Sequence, residues 1–598
     1  MFFPRNCKPL ALATSWTLFQ VLPLVAQTFT DGDPEGVLYT QHVGGYLGHG
    51  VSFADFNGDG FDDLCFGQFE GQILAYMGDG EGAFTPVDLG FGNTNGEPKS
   101  MLWADFDNDG DQDLLVTQRL SENRLYARMP DGSLQEVPGA GGIAGTELER
   151  TYGAAVADFN KDDRLDVYLC HYHTPQTNSE ENRLFRSLGG VDLGMQFQDI
   201  TEESGVGNGI KQSFQATWID IDRDGWLDLH VINDRTFWPD ALYHNQGDGT
   251  FVDMANSWGI GIGEYSMSST FADFDKDQDW DIVVANGASE GNNFLMCAGH
   301  PFLDPILQDD PVLVYMNVAE EANILLDDLA WGALFFDADN NGWLDLFIGT
   351  GTSMYTDYPA VLDIYPGSVN GFFLNNEGSF PFDPALENVF TDSELTFSSA
   401  FADHNRDGAM DFVSHRIGPR ARLLNGVPNG NHWVQVTLEP SSGNKDAIGA
   451  VVTAWKDGVG DMRTVTCGSE YLNQNSRRLH FGLGASPIVD SLTVDWPSGN
   501  HTSFASPPVN VIHHLLENEG GGSGATSGCT YPMACNFLPS AVEDNGTCDF
   551  ACACGDGTVW DNEQMQCIAY CTADQDGDGQ IGTGDLLLFL TFFGNSCE

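Results

Sequence analysis

"DFNGDGFDD", residues 55–63, places four aspartates in nine positions with no lysine or arginine among them. Two carboxylates 4 Å apart repel by about 1 kcal/mol in water and about 4 kcal/mol at an effective dielectric near 20. A chain that keeps such a cluster needs something to offset that repulsion. The cluster also recurs. "DFDNDGDQD" begins at 105, "DFNKDDRLD" at 158, "DIDRDGWLD" at 220, "DFDKDQDWD" at 273, "DADNNGWLD" at 337 and "DHNRDGAMD" at 403. The seven copies are 50, 53, 62, 53, 64 and 66 residues apart. Each has Asp at positions 1 and 9 and Asp or Asn at positions 3 and 5, and position 6 is often Gly.

That spacing suits calcium, which takes six to eight oxygens at about 2.3–2.6 Å. A tight loop turns side chains 1, 3 and 5 inward, position 7 offers a carbonyl, and Asp at position 9 closes the shell. Glycine at position 6 allows the sharp turn. The expected ligands are Asp55, Asn57, Asp59 and Asp63; Asp105, Asp107, Asp109 and Asp113; Asp158, Asn160, Asp162 and Asp166; Asp220, Asp222, Asp224 and Asp228. Asp273, Asp275, Asp277 and Asp281, then Asp337, Asp339, Asn341 and Asp345, then Asp403, Asn405, Asp407 and Asp411 complete the set.

Each acidic loop lies between two short apolar runs, such as "VSFA" and "LCFG" or "STFA" and "IVVA", which read as strands. Further strand-like runs follow around Gly-rich hairpins, as in "ALYHNQGDGTFVDM" from 241. Four strands per unit of 50–66 residues, repeated seven times, predict an all-β chain built on a seven-bladed β-propeller. The seventh unit lacks a fourth strand. "GVLYTQHV" at 36–43 is unassigned, so it is expected to complete that blade and remove an exposed edge. Trp103, Trp218, Trp226 and Trp343, beside or within the loops, read as blade packing, with sugar stacking as the alternative, and Cys65 and Cys170 as small buried apolar groups.

These units resemble the FG-GAP/VCBS repeats of the integrin α-subunit N-terminal propeller over residues 31–428, with the calcium loop joining the first two strands of a blade. The text changes at 431. "NKDAIGA", "HFGLG" and "VDWPSG" resemble the ASPIC/UnbV domain of the cartilage acidic protein family over 431–517, and the alternating runs there suggest a small β domain. Residues 518–528 form a Gly/Ser linker. A Cys-rich module at 529–571 follows, and its crowded cysteines read as disulfides in an exported chain, with zinc as the alternative. In the last segment, 572–598, Asp574, Asp576, Asp578, Gln580 and Asp585 have EF-hand loop spacing ahead of "DLLLFLTFF", and the segment resembles half of a dockerin. A disulfide-rich tail with one calcium loop and a helix, able to dock on a partner, is the expectation.

Arg5 and Lys8 precede the 16-residue stretch "LALATSWTLFQVLPLV", and "VAQ" offers cleavage after Ala26, which reads as a signal peptide over 1–26. No later run is apolar enough for a transmembrane span. The net charge of −63, from 87 acids against 24 bases, disfavours nucleic acid and anionic membranes. The expected function is that of a secreted or cell-surface calcium-binding protein for extracellular protein or polysaccharide ligands. The alternative is a polysaccharide hydrolase or lyase with its site at the propeller mouth. No catalytic motif and no organic cofactor site is read.

Overall fold

The computed structural model describes residues 29–40, 47–174, 180–287, 293–297, 313–326, 329–351, 370–380, 396–416 and 420–519. It also describes the backbone of 526–528, 541–544, 558–561 and 566–569. The expected signal peptide, the tail cysteines other than Cys567 (of which only the backbone is described) and the EF-hand loop and helix lie outside these residues. Among the described residues helix is confined to single turns, and no helix is long and apolar enough to cross a membrane. The chain is all-β.

The strands form antiparallel meanders in chain order. Val51–Ala54, Asp63–Gly67, Ile73–Gly78 and Phe84–Val87 make the first sheet. Glu97–Ala104 to Leu134–Glu136 make the second, Thr151–Ala157 to Gln196–Asp199 the third, and Ser213–Ile219 to Phe251–Asp253 the fourth. Ser266–Ala272 to Tyr315–Asn317 and Ala330–Phe336 to Gly371–Phe373 follow, and the next begins with Thr396–Ala402. The first strand of each sheet packs beside the first strand of the next, and Thr396–Ala402 packs beside Val51–Ala54. The order is therefore cyclic and the arrangement propeller-like. These inner strands are buried on nearly every residue, as both faces of each lie against neighbouring sheets.

The last sheet takes a strand from the N-terminal end of the chain, but not the expected one. Phe29–Asp31 pairs antiparallel with Arg422–Gly426, matching Phe29 to Gly426 and Asp31 to Leu424. Residues 37–40, which begin "VLYT", have no strand pairing. The alternation of "VLYT" resembles a strand, whereas the pairing is made by three residues with a weaker pattern. Phe29 also meets Phe372 of the preceding sheet edge-on at 6.2 Å. Deleting residues 29–31 should therefore lower the melting temperature of the whole assembly, because it reopens a sheet edge. Equal stability of the truncated and full chains would show that this pairing contributes nothing.

Trp103 stacks on Phe56 at 4.7 Å and Trp218 on Phe159 at 5.6 Å, each joining adjacent sheets. Cys65, Cys170, Cys297 and Cys467 are buried free thiols. Beyond residue 431 lie two more sheets. Leu479–Gly484, His432–Glu439 and Ile512–Leu516 form one; Val459–Thr464, Val451–Lys456, Ser491–Asp495 and His501–Ala505 form the other. Val434, Val436, Val452, Phe481, Leu492 and Val494 are buried in their shared core.

Candidate metal loops and the plugged channel

Each acidic loop joins the first and second strands of its sheet, and its side chains build it from within. In loop 1, Asp55 accepts the Asp59 N–H on Oδ1 at 3.0 Å and the Gly60 N–H on Oδ2 at 2.7 Å. Asn57 Oδ1 accepts the Asp59 N–H at 2.9 Å, and Asp59 Oδ1 accepts the Phe61 N–H at 2.9 Å. Successive Asx turns of this kind pull positions 1, 3 and 5 to the inside. Asp63 at position 9 accepts the Phe56 N–H at 3.2 Å and reaches across the sheet to the Gly78 N–H at 2.9 Å. The same cross-strand bond recurs in every loop, from Arg128, Ser187, Asn245, Cys297, Asn375 and Gly426 to Asp113, Asp166, Asp228, Asp281, Asp345 and Asp411. Position 9 thus pins the loop to the third strand.

The carboxylates converge as the spacing requires. Asp105, Asp107 and Asp113 each bring an oxygen within 4.8 Å of the others, as do Asp220, Asp222 and Asp224, and Asp273, Asp275 and Asp277. Asp192, from the loop between the third and fourth strands of the third sheet, joins Asp107 and Asp109 in a similar group. Burial, with neighbouring carboxylates adding to it, pushes Asp63 and Asp281 up to about 8 and Asp113 to about 9. Asp105, Asp220 and Asp273 are raised to about 7 for the same reasons. Buried oxygens Asp166 Oδ2 and Asp273 Oδ2 have no hydrogen-bond partner. An oxygen-only donor set with orphaned, desolvated carboxylate oxygens fits a hard divalent cation.

Position 4 shares with position 6 a left-handed backbone that the sequence reading anticipated at position 6 alone. Both have positive φ in every loop, including at Asn108, Lys161, Arg223, Lys276, Asn340 and Arg406 in position 4. The left-handed turn aims position 4 at the next loop around the ring. Lys161 lies 4.4 Å from the Trp226 ring centroid, Lys276 4.7 Å from that of Trp343, and Arg406 4.1 Å from that of Phe61. Asn108 donates to Asp163 O at 2.7 Å, Asn340 to Gly408 O at 2.7 Å, and Arg223 to Gln278 O at 3.4 Å. Trp226 and Trp343 are thus held by cations. Loop 1 has Gly58 at position 4 and sends no side chain to loop 2. There a cleft of about 740 Å³ lies between Gly58, Gly60, Asp109 and Asp111 on one side and Lys445 and His514 on the other.

The FG-GAP-like repeat family matches residues 55–116, 105–169 and 220–284, and the family described as ASPIC and UnbV matches 440–522. The chain carries FG-GAP-like repeats and an ASPIC/UnbV domain. It is 24% identical over 324 residues to cartilage acidic protein 1 of Mus musculus, covering 52% of this chain and 46% of that protein. For the Homo sapiens protein the identity is 24% over 302 residues, covering 46% and 40%; for Xenopus tropicalis it is 25% over 287, covering 46% and 40%. The chain spans less than half the length of these curated relatives. An Agrocybe aegerita lectin that recognises non-reducing terminal N-acetylglucosamine aligns at 15% identity and a TM-score of 0.35, covering 71% of this chain and 95% of its own.

The ASPIC/UnbV domain sits directly on the acidic loops. Asp446 accepts the Asp105 N–H at 2.7 Å, Asn444 N–H bonds Asp163 O at 3.2 Å, and Gln435 Nε2 donates to Asp403 Oδ2 at 2.7 Å. Lys276 pairs with Asp461 at 3.2 Å, Arg478 donates to Gly60 O at 2.9 Å, and His480 bonds Asn340 at 2.5 Å. Gly408 is required at one contact: it has φ +82°, and a Cβ there would lie 1.8 Å from Trp433 Nε1.

From this domain residues 467–475 run into the ring and meet every inner strand. Val51 N–H bonds Leu472 O at 3.2 Å, Trp103 N–H bonds Gln474 Oε1 at 2.7 Å, and Val156 N–H bonds Cys467 O at 3.0 Å. Thr217 donates to Ser469 O at 2.8 Å and Thr270 to Glu470 at 3.3 Å. Tyr471 packs on Trp331 at 5.3 Å, and Asn473 donates to Ser399 O at 2.7 Å. At the far end Tyr471 and Leu472 join Leu47, Tyr152, Phe214 and Phe397 in one buried apolar cluster. The centre of the ring is filled by the chain itself. Nothing in "SEYLNQNSRR" announces this, because a segment that pairs with seven distant strands has no period of its own.

Proposed function

We propose that this chain is a secreted or cell-surface seven-bladed β-propeller, calcium-loaded and locked by its ASPIC/UnbV domain, that binds an extracellular protein or polysaccharide without chemistry. The observation that carries the binding reading is the plugged channel. A hydrolase or lyase with its site at the propeller mouth needs an open concavity there, and residues 467–475 occupy it. The relatives and the FG-GAP-like repeats support an extracellular binding role. Calcium would be held by positions 1, 3, 5 and 9 of the loops, supplying charge neutralisation and rigidity.

A concavity of ligand size lies beside Gly58, where the ring of position-4 links is interrupted. Its volume suits one or two sugar rings or a few peptide side chains. Exposed Lys445 faces the carboxylates of loops 1 and 2 across it. Arrays of glycans and extracellular proteins should show capture in calcium, loss of capture in EDTA, and weaker capture by Lys445→Glu. Release of reducing ends from a polysaccharide would instead establish the enzyme reading. Capture indifferent to calcium and to Lys445 would remove the cleft from the account.

A further inference from the structure

Loop 4 differs from the others in its donor chemistry. The residue just before the one that donates to the position-9 aspartate is Met77, Ala127, Arg186, Met296, Leu374 or Asn425 in six of the sheets, and His244 in the fourth. His244 is turned into the loop. Its Nε2 lies 3.0 Å from Asp222 Oδ2 and 3.8 Å from Asp224 Oδ2, and the imidazole, Asp222 and Asp228 each place a ligand atom within 4.8 Å of the others. Asp222 and Asp228 have almost fully buried side chains, and that of His244 is 17% exposed. Asp220 Oδ1 is buried without a partner beside them. A second imidazole in contact with a loop carboxylate, His404, occupies position 2 of loop 7 and bonds Asn425 at 3.0 Å, with a single loop carboxylate, Asp411, nearby at 3.4 Å.

We infer that loop 4 takes a first-row transition dication of the zinc type, with His244 Nε2 as its nitrogen ligand, where the other loops take calcium. The inference rests on the reading of these loops as metal sites. Imidazole suits zinc, nickel and copper, whereas calcium prefers oxygen alone. Adjacent donors around a metal with bonds of 2.0–2.1 Å lie roughly 3.0–3.4 Å apart, so the observed 3.0 and 3.8 Å need only a small adjustment. The ring is also oriented from behind, since the Gln246 side-chain amide lies 2.8 Å from His244 Nδ1. Gln246 Nε2 donates to Nδ1 and to His244 O at 3.3 Å, so the ring proton lies on Nε2 toward Asp222 and is the one a bound metal displaces. Asp222, Asp224 and Asp228 supply oxygens, and one carboxylate or a water completes the shell.

The test uses the full chain, stripped by a chelator and reloaded with excess calcium, then titrated with cobalt(II) and followed by visible absorption. One equivalent of cobalt should bind despite the calcium, with a nitrogen-ligand spectrum that zinc abolishes. His244→Gln should weaken that binding by at least the roughly 10–100-fold that losing an outer-shell partner costs. His244→Asp, an all-oxygen set, should lose cobalt and gain one calcium. Thermal melts in calcium show whether each variant is folded, and the wild-type titration stands without them. Cobalt excluded by calcium, or retained equally by folded His244→Gln, overturns the inference. A chain that binds no calcium at all defeats the loop reading; a wild-type chain with calcium in every loop, loop 4 included, defeats this inference alone.

Discussion

Tyr471→Ala should destabilise the chain by about 3–5 kcal/mol, the usual cost of truncating a large buried aromatic. The side chain is 1% exposed at the centre of the ring. It lies 5.6 Å from Phe214 and 5.3 Å from Trp331, and its hydroxyl donates to Leu47 O at 2.7 Å. The surrounding strands are fixed by their own sheets and cannot collapse into the space, so the cavity term is large. Tyr471→Phe keeps the ring and should cost only about 1 kcal/mol, the net value of one hydrogen bond. Denaturant unfolding of the two variants checks this. Equal stability of Tyr471→Ala and the parent would mean that the ASPIC/UnbV segment does not hold the ring together.

Chelation should have a still larger effect. Each loop filled at 100 times its dissociation constant gains about 2.7 kcal/mol, and the loops act on one cooperative unit. Removing the ions leaves converging buried carboxylates such as Asp105, Asp107 and Asp113 without a counter-charge. The loss also spreads to the ASPIC/UnbV domain, because Asp446, Gln435 and Arg478 bond to loop atoms. EDTA should therefore lower the melting temperature sharply and make the docked domain accessible to proteases, and added calcium should reverse both. An unchanged melting curve in EDTA would mean that the loops are stable acidic turns held by their Asx bonds alone.

The sheets and loops were legible in the sequence for a local reason. A loop that uses positions 1, 3, 5 and 9 for its own hydrogen bonds repeats those residues wherever it occurs, and the flanking strands must be apolar on both faces to lie inside the ring. The rest depended on contacts distant in sequence. The strand at Phe29–Asp31 was missed because pairing is set by the free edge of Arg422–Gly426, while "GVLYTQHV" had the stronger alternation. The plug was missed because its partners are residues up to 424 positions away, as for Tyr471 and Leu47. Position 4 did carry a signal: Gly, Asn, Asn, Lys, Lys, Arg and Arg are long or turn-forming residues in a left-handed site. His244 was visible in "LYHNQGDG", but only the hairpin geometry turns it toward Asp222.

The central claim is that the repeated loops are ion sites, and the most direct measurement is the metal content of the purified chain after exhaustive dialysis against trace calcium. The account predicts at least one tightly held divalent ion per loop, and the loss of one ion when both Asp273 and Asp281 are replaced by alanine. A chain that retains no divalent metal, or whose metal content is unchanged by that double substitution, would contradict it.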